Sequence, residues 1–450
     1  MSGRFGSILA TALMLLFPLG ALAVDVGPVS INGFISQGYI DSEKNDFLAP
    51  NSTNGTFQYN EVGLTFNTQI TDRLRMGAQI LSRDLGQVGN NEVRLDWGFA
   101  DYHASDYLGV RLGKVKLPMG LYNEGRDSDF LRPMVFLPQS IYDETKRELL
   151  VAYQGAGLYG NIPAGPAGDL DYHGFYGTIN FPSDALLIGA LEQNGTFTMR
   201  SNLGPVLVPA YTPRLGGGAA GQAAARTYVQ TLAVTDLDLQ NDYITGGALV
   251  YNTPLSGLRF GLSFLRVKND ISFTMNKSID PAIDPNNFNQ VFNPVKLEGS
   301  LTNKSTLVGS VEYSIGPLVL AAEYSETDRV QKFSGFSGQD ATSQSYYGMA
   351  SYTFLDKWTL SALYDVYYSD KDDKDGDDFV AQAPVGQRQD FFTWRKDLGI
   401  GLRYDVNPWW TLKAEYHDIK GAGLFMTVVN DPSKLKENWS YVALKASFIF

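Results

Sequence analysis

The sequence contains no cysteine in 450 residues. Disulfides are therefore excluded, and an exported chain of this composition must be held by backbone pairing and burial. Only three histidines are present, His103, His173 and His417. They fall on three different predicted strands, and neither a Ser/His/carboxylate set nor a metal-ligand spacing accompanies them. The expectation is a protein that is not an enzyme and has no cofactor and no metal. Beyond the first residues, no apolar run reaches the roughly 18 residues of a membrane-spanning helix, and mean hydropathy is −0.15. A helical membrane protein is excluded. Positive charge is in deficit, with 36 Lys and Arg against 48 Asp and Glu and a net charge of −12, which speaks against nucleic acid as a partner.

Aromatics and glycine are abundant. There are 25 Tyr, 26 Phe and 46 Gly, residues that suit strands and turns. The chain opens on "MSGR", the short apolar run "ILATALMLLFPLG" and the small-x-small site "ALA" before Val24. Residues 1–23 read as a secretory signal peptide, since the run is shorter than the ~20 residues a span needs. Length alone allows two or three soluble domains or one large barrel for residues 24–450.

Period-two alternation, the mark of a strand with two unlike faces, recurs in sixteen stretches of the sequence. These are roughly 29–39, 56–69, 73–84, 92–104, 108–116, 149–161, 170–180, 243–251, 258–269, 305–315, 318–329, 345–354, 359–368, 395–405, 410–419 and 438–450. In "VRLDWGFADY", Val93, Leu95, Trp97 and Phe99 share one side. His103 shares their parity and is expected near an interface. In "YVALKASFIF", Val442, Leu444, Ala446, Phe448 and Phe450 alternate with inward Lys445 and Ser447. Short connections such as "ITDR", "ASDYL", "IGPL" and "DVNPWW" alternate with longer ones. No strong helical pattern interrupts them, and no boundary divides the chain. The reading is an all-β fold: a transmembrane antiparallel β-barrel of about 16 strands in a single domain, with short periplasmic turns and long extracellular loops. In hydrocarbon every backbone polar group must be paired, so the last strand must close on the first, "VSINGFISQGY".

The leader, the sixteen alternating strands, the rhythm of turns and a last strand ending in Phe resemble the Gram-negative outer-membrane porins. Within that group, "RLGKVKLPMGLYNEGRD" resembles the relatives that include phosphate-selective channels, without assigning a solute. The resemblance implies location in the outer membrane, contact with its lipid and lipopolysaccharide, small hydrophilic solutes as cargo, and a homotrimer. It also implies that Phe448 and Phe450 belong to a signal read by the outer-membrane assembly machinery.

Sixteen strands enclose a lumen too wide for side chains alone to fill. The third long connection, residues 117–148, is expected to fold inward and narrow it, as in porins; a loop capping the mouth is the alternative. Its centre "FLRPMVFLP" is too apolar for a loop in water. It carries Glu124, Asp127, Asp129, Asp143, Glu144 and Glu148 beside Arg126, Arg132, Lys146 and Arg147. The polar side of strands two to five carries Arg73, Arg75, Arg83, Arg94 and Arg111, with Glu61, Glu92 and Asp96 among them. An arginine row facing an acidic loop would set a transverse field across a pore. The candidate constriction is therefore Arg73, Arg75, Arg94, Arg111, Glu124, Arg126, Asp127, Asp129 and Arg132. The function expected is passive diffusion of small hydrophilic solutes and ions, with a substrate-specific anion channel, or a barrel enzyme or adhesin, as alternatives.

The acidic run "SDKDDKDGDDF" (370–378) fails as an EF-hand, because Lys371 and Gln382 would stand at its first and twelfth positions. It reads as a solvated loop. Residues 181–242 form the longest loop, with a Gly/Ala segment that could hold a short helix or be mobile. Trp358, Trp409 and Trp410 are expected in the periplasmic aromatic girdle, and Tyr346, Tyr347, Tyr367 and Tyr368 in the outer one.

Overall fold

The computed structural model describes residues 24–86, 88–181, 186–276, 295–333, 339–381, 388–424 and 429–450; the expected signal peptide, residues 1–23, lies outside them. Sixteen antiparallel strands close into a barrel. They are β1 Val29–Glu43, β2 Tyr59–Thr71, β3 Leu74–Leu85, β4 Val93–Ser105, β5 Leu108–Lys116, β6 Ala152–Pro163, β7 Asp169–Thr178 and β8 Ala233–Asn252. The second half comprises β9 Leu258–Asn276, β10 Val295–Ile315, β11 Leu318–Phe333, β12 Gln339–Phe354, β13 Trp358–Tyr368, β14 Trp394–Asn407, β15 Trp410–Lys420 and β16 Asn438–Ile449. Each strand pairs with its sequence neighbour, and β16 closes on β1 through Phe448↔Ile35 and Ile449↔Phe34. Phe450 continues the seam, exchanging backbone hydrogen bonds of 2.9 and 3.0 Å with Gly33. The short segment Val24–Val26 folds back on β1 with Val24 opposite Ile31, extending the row of β16 below Phe450.

Alternation sorts the two faces. On β9, Phe260, Leu262 and Phe264 are 44–47 % exposed, whereas Ser263 and Leu265, of the opposite parity, are buried. The exposed apolar side suits lipid, and the other side faces the lumen. Lys445 and Ser447 are buried within the barrel, as the pattern of β16 implies.

The strands β8 to β10 run 19 to 21 residues, roughly twice the 9–11 that cross a bilayer. Their excess lies on the long-loop side, where the outer face of β8 turns polar with exposed Asp236, Asp238, Gln240 and Asp242. Water demands no apolar face there, so the hydrophobic pattern ends while the ladder continues. By contrast β5 and β7 run only 9 and 10 residues, so the rim is low on that side.

Three expectations need correction. A bulge at Asp96, where Gln79 pairs Trp97 but Ile80 pairs Leu95, reverses the parity of β4. Val93 and Leu95 face outward, while Trp97 and Phe99 face the lumen, beneath Lys116 and Arg111 respectively. The long loop holds more than the short helix its Gly/Ala segment allowed: the 26-residue α1 Leu186–Tyr211 precedes α2 Gly218–Gln230, and the two pack through Leu207, Tyr211, Ala225, Tyr228 and Val229. And Tyr347 is no girdle residue. Adjacent strand residues point to opposite faces, so Tyr346 packs outside with Val366, Tyr368 and Trp394, whereas Tyr347 is buried inside.

Candidate pore constriction

The third long connection, residues 117–151, leaves the wall where β5 ends. Pro118, Pro133 and Pro138 lack the N–H that a continuing ladder would need. Gly120 takes a φ of +60°, and a Cβ there would run into the Tyr142 hydroxyl and the Glu323 carboxylate. The segment turns into the lumen and fixes itself in two directions. Met134, Leu137, Ile141 and Tyr142 join a cluster with Tyr153, Ile244, Leu265, Val308 and Leu363 of the wall. Val135 and Phe136 join a second with Tyr59, Trp439 and Tyr441, Phe136 stacking on Tyr59 at 5.3 Å. Full burial of each large apolar side chain contributes about 1.5–3 kcal/mol, and this drives the loop inward rather than over the mouth.

Inside the barrel the loop's backbone groups have no ladder, and wall side chains serve them instead. Glu323 of β11 accepts from Leu121 N at 2.8 Å and from the hydroxyls of Tyr142 and Tyr347 at 2.5 and 2.8 Å. Asp365 of β13 accepts from Ser140 N at 3.1 Å. Glu415 of β15 accepts from Val135 N at 2.8 Å and Phe136 N at 3.3 Å. Arg403 of β14 donates to Phe130 O at 2.7 Å, and Lys413 of β15 donates to Asp129 O and Met134 O at 2.5 and 3.2 Å.

A buried ionic network completes the clamp. Asp129 receives Arg132 at 2.8 Å, Lys413 and Lys445 at 3.1 Å each, and the Ser447 hydroxyl at 2.5 Å. Lys445 also reaches Glu61 at 2.6 Å. Arg83 of β3 and Arg126 of the loop share Glu144, at 2.9 and 3.2 Å. Arg147 pairs with Asp96 at 2.9 Å and with Asp127, which Lys116 holds at 2.7 Å. Burial alone would push these carboxyls up. Lys413, Lys445 and Arg132 reverse that for Asp129, and Arg147 and Lys116 for Asp127, so both sit well below the usual carboxylate range. Arg126 and Arg83 likewise lower Glu144 against its burial.

The residues expected at the constriction thus divide. Arg126, Asp127, Asp129 and Arg132 are buried or nearly so within the clamp. Arg73 lies in the tight turn before β3. Arg94 sits near the outer rim between Glu92 and Glu148, at 2.5 and 2.9 Å. Only Arg75, Arg111 and Glu124 meet on one accessible wall. Arg75 and Arg111 share Asp101 at 2.8 and 3.5 Å, and Arg111 faces Glu124 at 3.8 Å. The Arg111 guanidinium lies over the Tyr159 ring, 4.3 Å from its centre, and Tyr159 donates to Asp101 at 2.6 Å. Glu124 is 54 % exposed, unlike its acidic neighbours on the loop. Enclosure by the walls pushes its carboxyl up even though water reaches it, with Arg111 and Lys116 opposing.

Wall anchors such as Glu323, Asp365, Arg403, Lys413 and Glu415 were not among the candidates. Their signal was present: each is a charged residue at an inward position of a lipid-facing strand. The histidines stay apart. His103 is exposed beside Asp106 near a turn, and His173 lies by Tyr153. His417 is buried against Asp397 at 2.8 Å under the Tyr441 ring. In the acidic run, Asp373 accepts from the backbone of Asp378 and Phe379, starting a short helix.

No protein-family model and no curated protein sequence matches this chain. Its fold is similar to solved outer-membrane barrels. OmpT, an outer membrane protein of Vibrio cholerae, aligns with a TM-score of 0.53 at 11 % identity over 96 % of this chain and 100 % of its own. The anion-selective porin from Comamonas acidovorans aligns at 0.50 and 11 % identity, over 94 % and 99 % of the two chains. OmpF of Salmonella typhi, in complex with daunomycin, aligns at 0.50 and 12 % identity over 94 % and 97 %.

Proposed function

We propose that the protein is an outer-membrane channel that passes small hydrophilic solutes and ions down their gradient without chemistry, as a homotrimer. The observation that carries this reading is the inward loop. It is clamped to the wall by side chains from β2 to β16, yet leaves Arg75, Arg111 and Glu124, joined through the buried Asp101, open to water. Charges this close to a passing ion act on it despite a Debye length of ~8 Å at physiological salt. The porin barrels similar in fold support a channel. A solute-selective, saturable channel is the second reading, favoured by the tightness of the clamp and by apolar side chains that take up part of the lumen. Planar-bilayer recording tests both. Discrete conductance steps are expected, and flux that saturates with solute concentration separates the second reading from free diffusion. A silent protein overturns both readings. For assembly state, light scattering of the native detergent complex at the mass of one chain would remove the trimer.

A further inference from the structure

The barrel wall is breached beside the loop. β4 pairs with β3 up to Val93, but its pairing with β5 stops at Gly98↔Lys114. Among the described residues, the edge of β4 from Val93 to Trp97 therefore pairs with no strand on that side, and the low ends of β5, β6 and β7 lie next to it. The edge carbonyl of Leu95 is served by a side chain, Lys114 Nζ at 2.6 Å. A cavity of about 450 Å³ occupies the gap, within the size range of ligand pockets.

Its lining comes from both faces of the wall. Leu81 and Arg83 belong to the inward side of β3, opposite in parity to the lipid-facing Ile80. Leu95 is half exposed on the outer side. Lys114 shares the parity of lipid-facing Leu112, and Gln154 that of Leu158. An intact wall would keep these two sets apart.

Four cations line the cavity, Arg83, Arg94, Lys114 and Arg147, against three carboxylates, Glu92, Asp96 and Glu148. Arg83 is matched by Glu61 and Glu144, Arg94 by Glu92 and Glu148, and Arg147 by Asp96 and Asp127. Lys114 forms no ion pair among the described residues; a backbone carbonyl is its hydrogen-bond acceptor. The gap thus offers one ammonium outside any described ion pair beside an apolar wall of Leu81, Leu95, Val151 and Ile179, with exposed Leu95 and Gln154 on its lipid-facing side. We infer that it is a lateral binding site for an amphiphile with a single carboxylate head and an apolar tail, the head on Lys114 and the tail along those four side chains.

Decanoate is the probe, titrated calorimetrically into the full protein in detergent, with empty micelles subtracted. Saturable binding of one decanoate per chain is expected, with none for decyltrimethylammonium. Lys114→Gln should weaken it at least tenfold, and Lys114→Arg should restore it. Gln154→Trp, at an exposed position at the cavity mouth, should block the site without touching the fold. Non-saturable partitioning, or equal affinity in wild type and Lys114→Gln with heat-modifiable gel mobility retained in both, overturns the inference. The measurement reads no current, so it stands or falls separately from the channel reading.

Discussion

The Lys445 ammonium lies 3.1 Å from the Asp129 carboxylate across 316 residues of sequence, and the same ammonium lies 2.6 Å from Glu61. Strand β16, strand β2 and the inward loop meet at one buried cation. The contact explains how an irregular segment is held in a lumen without a ladder of its own. Its charges are compensated on several sides, which is the condition under which buried ions are tolerated.

Asp129→Asn removes the carboxylate that Arg132, Lys413 and Lys445 share. Taking one partner from a buried ionic set costs about 3–5 kcal/mol. The loss falls on the loop, because the barrel ladder is untouched. Trypsin cutting after Arg126, Lys146 or Arg147 should rise by at least tenfold while heat-modifiable gel mobility stays normal. Wild-type resistance in the variant would show that the apolar clusters alone hold the loop.

The clamp and the accessible wall should separate in pH. Asp127, Asp129 and Glu144 are depressed in the folded protein. Their stabilisation is complete above the ordinary carboxylate pKa of about 4 and is lost only as pH falls through the lower folded values. Glu124 is shifted the other way, so it takes up its proton before they do. Between pH 7 and pH 4 we expect ion selectivity to move toward anions with no gain in the loop's sensitivity to a protease active across that range. Glu124→Gln should abolish that movement. A loop that becomes cleavable at pH 5 would contradict the assignment of these carboxylates to the clamp.

Much of this architecture was legible because a lipid-facing strand must alternate. The sixteen strands, the seam at β16 and the inward third loop follow from period two, from turn spacing and from an apolar loop centre. What stayed hidden depends on registers and long-range partners. The Asp96 bulge inserts a residue without changing the local composition, so Trp97 and Phe99 read as lipid-facing. The tall part of β8 carries Asp236 and Asp238 where water replaces lipid, and the apolar signal vanishes there. Asp129 and Glu124 are both loop carboxylates in the sequence. Only the position of Lys413 and Lys445, some three hundred residues away, separates a structural anion from an accessible one.

Phe450 is expected to matter for insertion. Its backbone completes the β16–β1 seam through Gly33, and its ring stacks with Phe448 at 6.2 Å between centres. Deleting it removes two hydrogen bonds at a seam that hydrocarbon cannot re-satisfy. Surface labelling of cells should show a several-fold fall in folded protein. An unchanged level would mean that Phe448 and the remaining pairs of β16 suffice for closure.

Selectivity should depend on a smaller set of residues than the charge pattern suggests. Arg75 and Arg111 share one carboxylate, Asp101, and Arg111 faces the exposed Glu124. Arg94 lies between Glu92 and Glu148 near the outer rim instead. Replacing Arg75 and Arg111 together by Gln should move the reversal potential in a salt gradient toward cations, because Asp101 and Glu124 then lose their opposing charges. Glu124→Gln should move it toward anions. Arg94→Gln should leave it within error of wild type, since that side chain is spent on two acids away from Arg111 and Glu124. Asp129→Asn should change conductance noise more than reversal potential, because its carboxylate is sealed among cations and faces no passing ion. If Arg94→Gln shifts the potential as much as the double replacement does, the outer rim rather than the Arg111–Glu124 wall governs which ions enter.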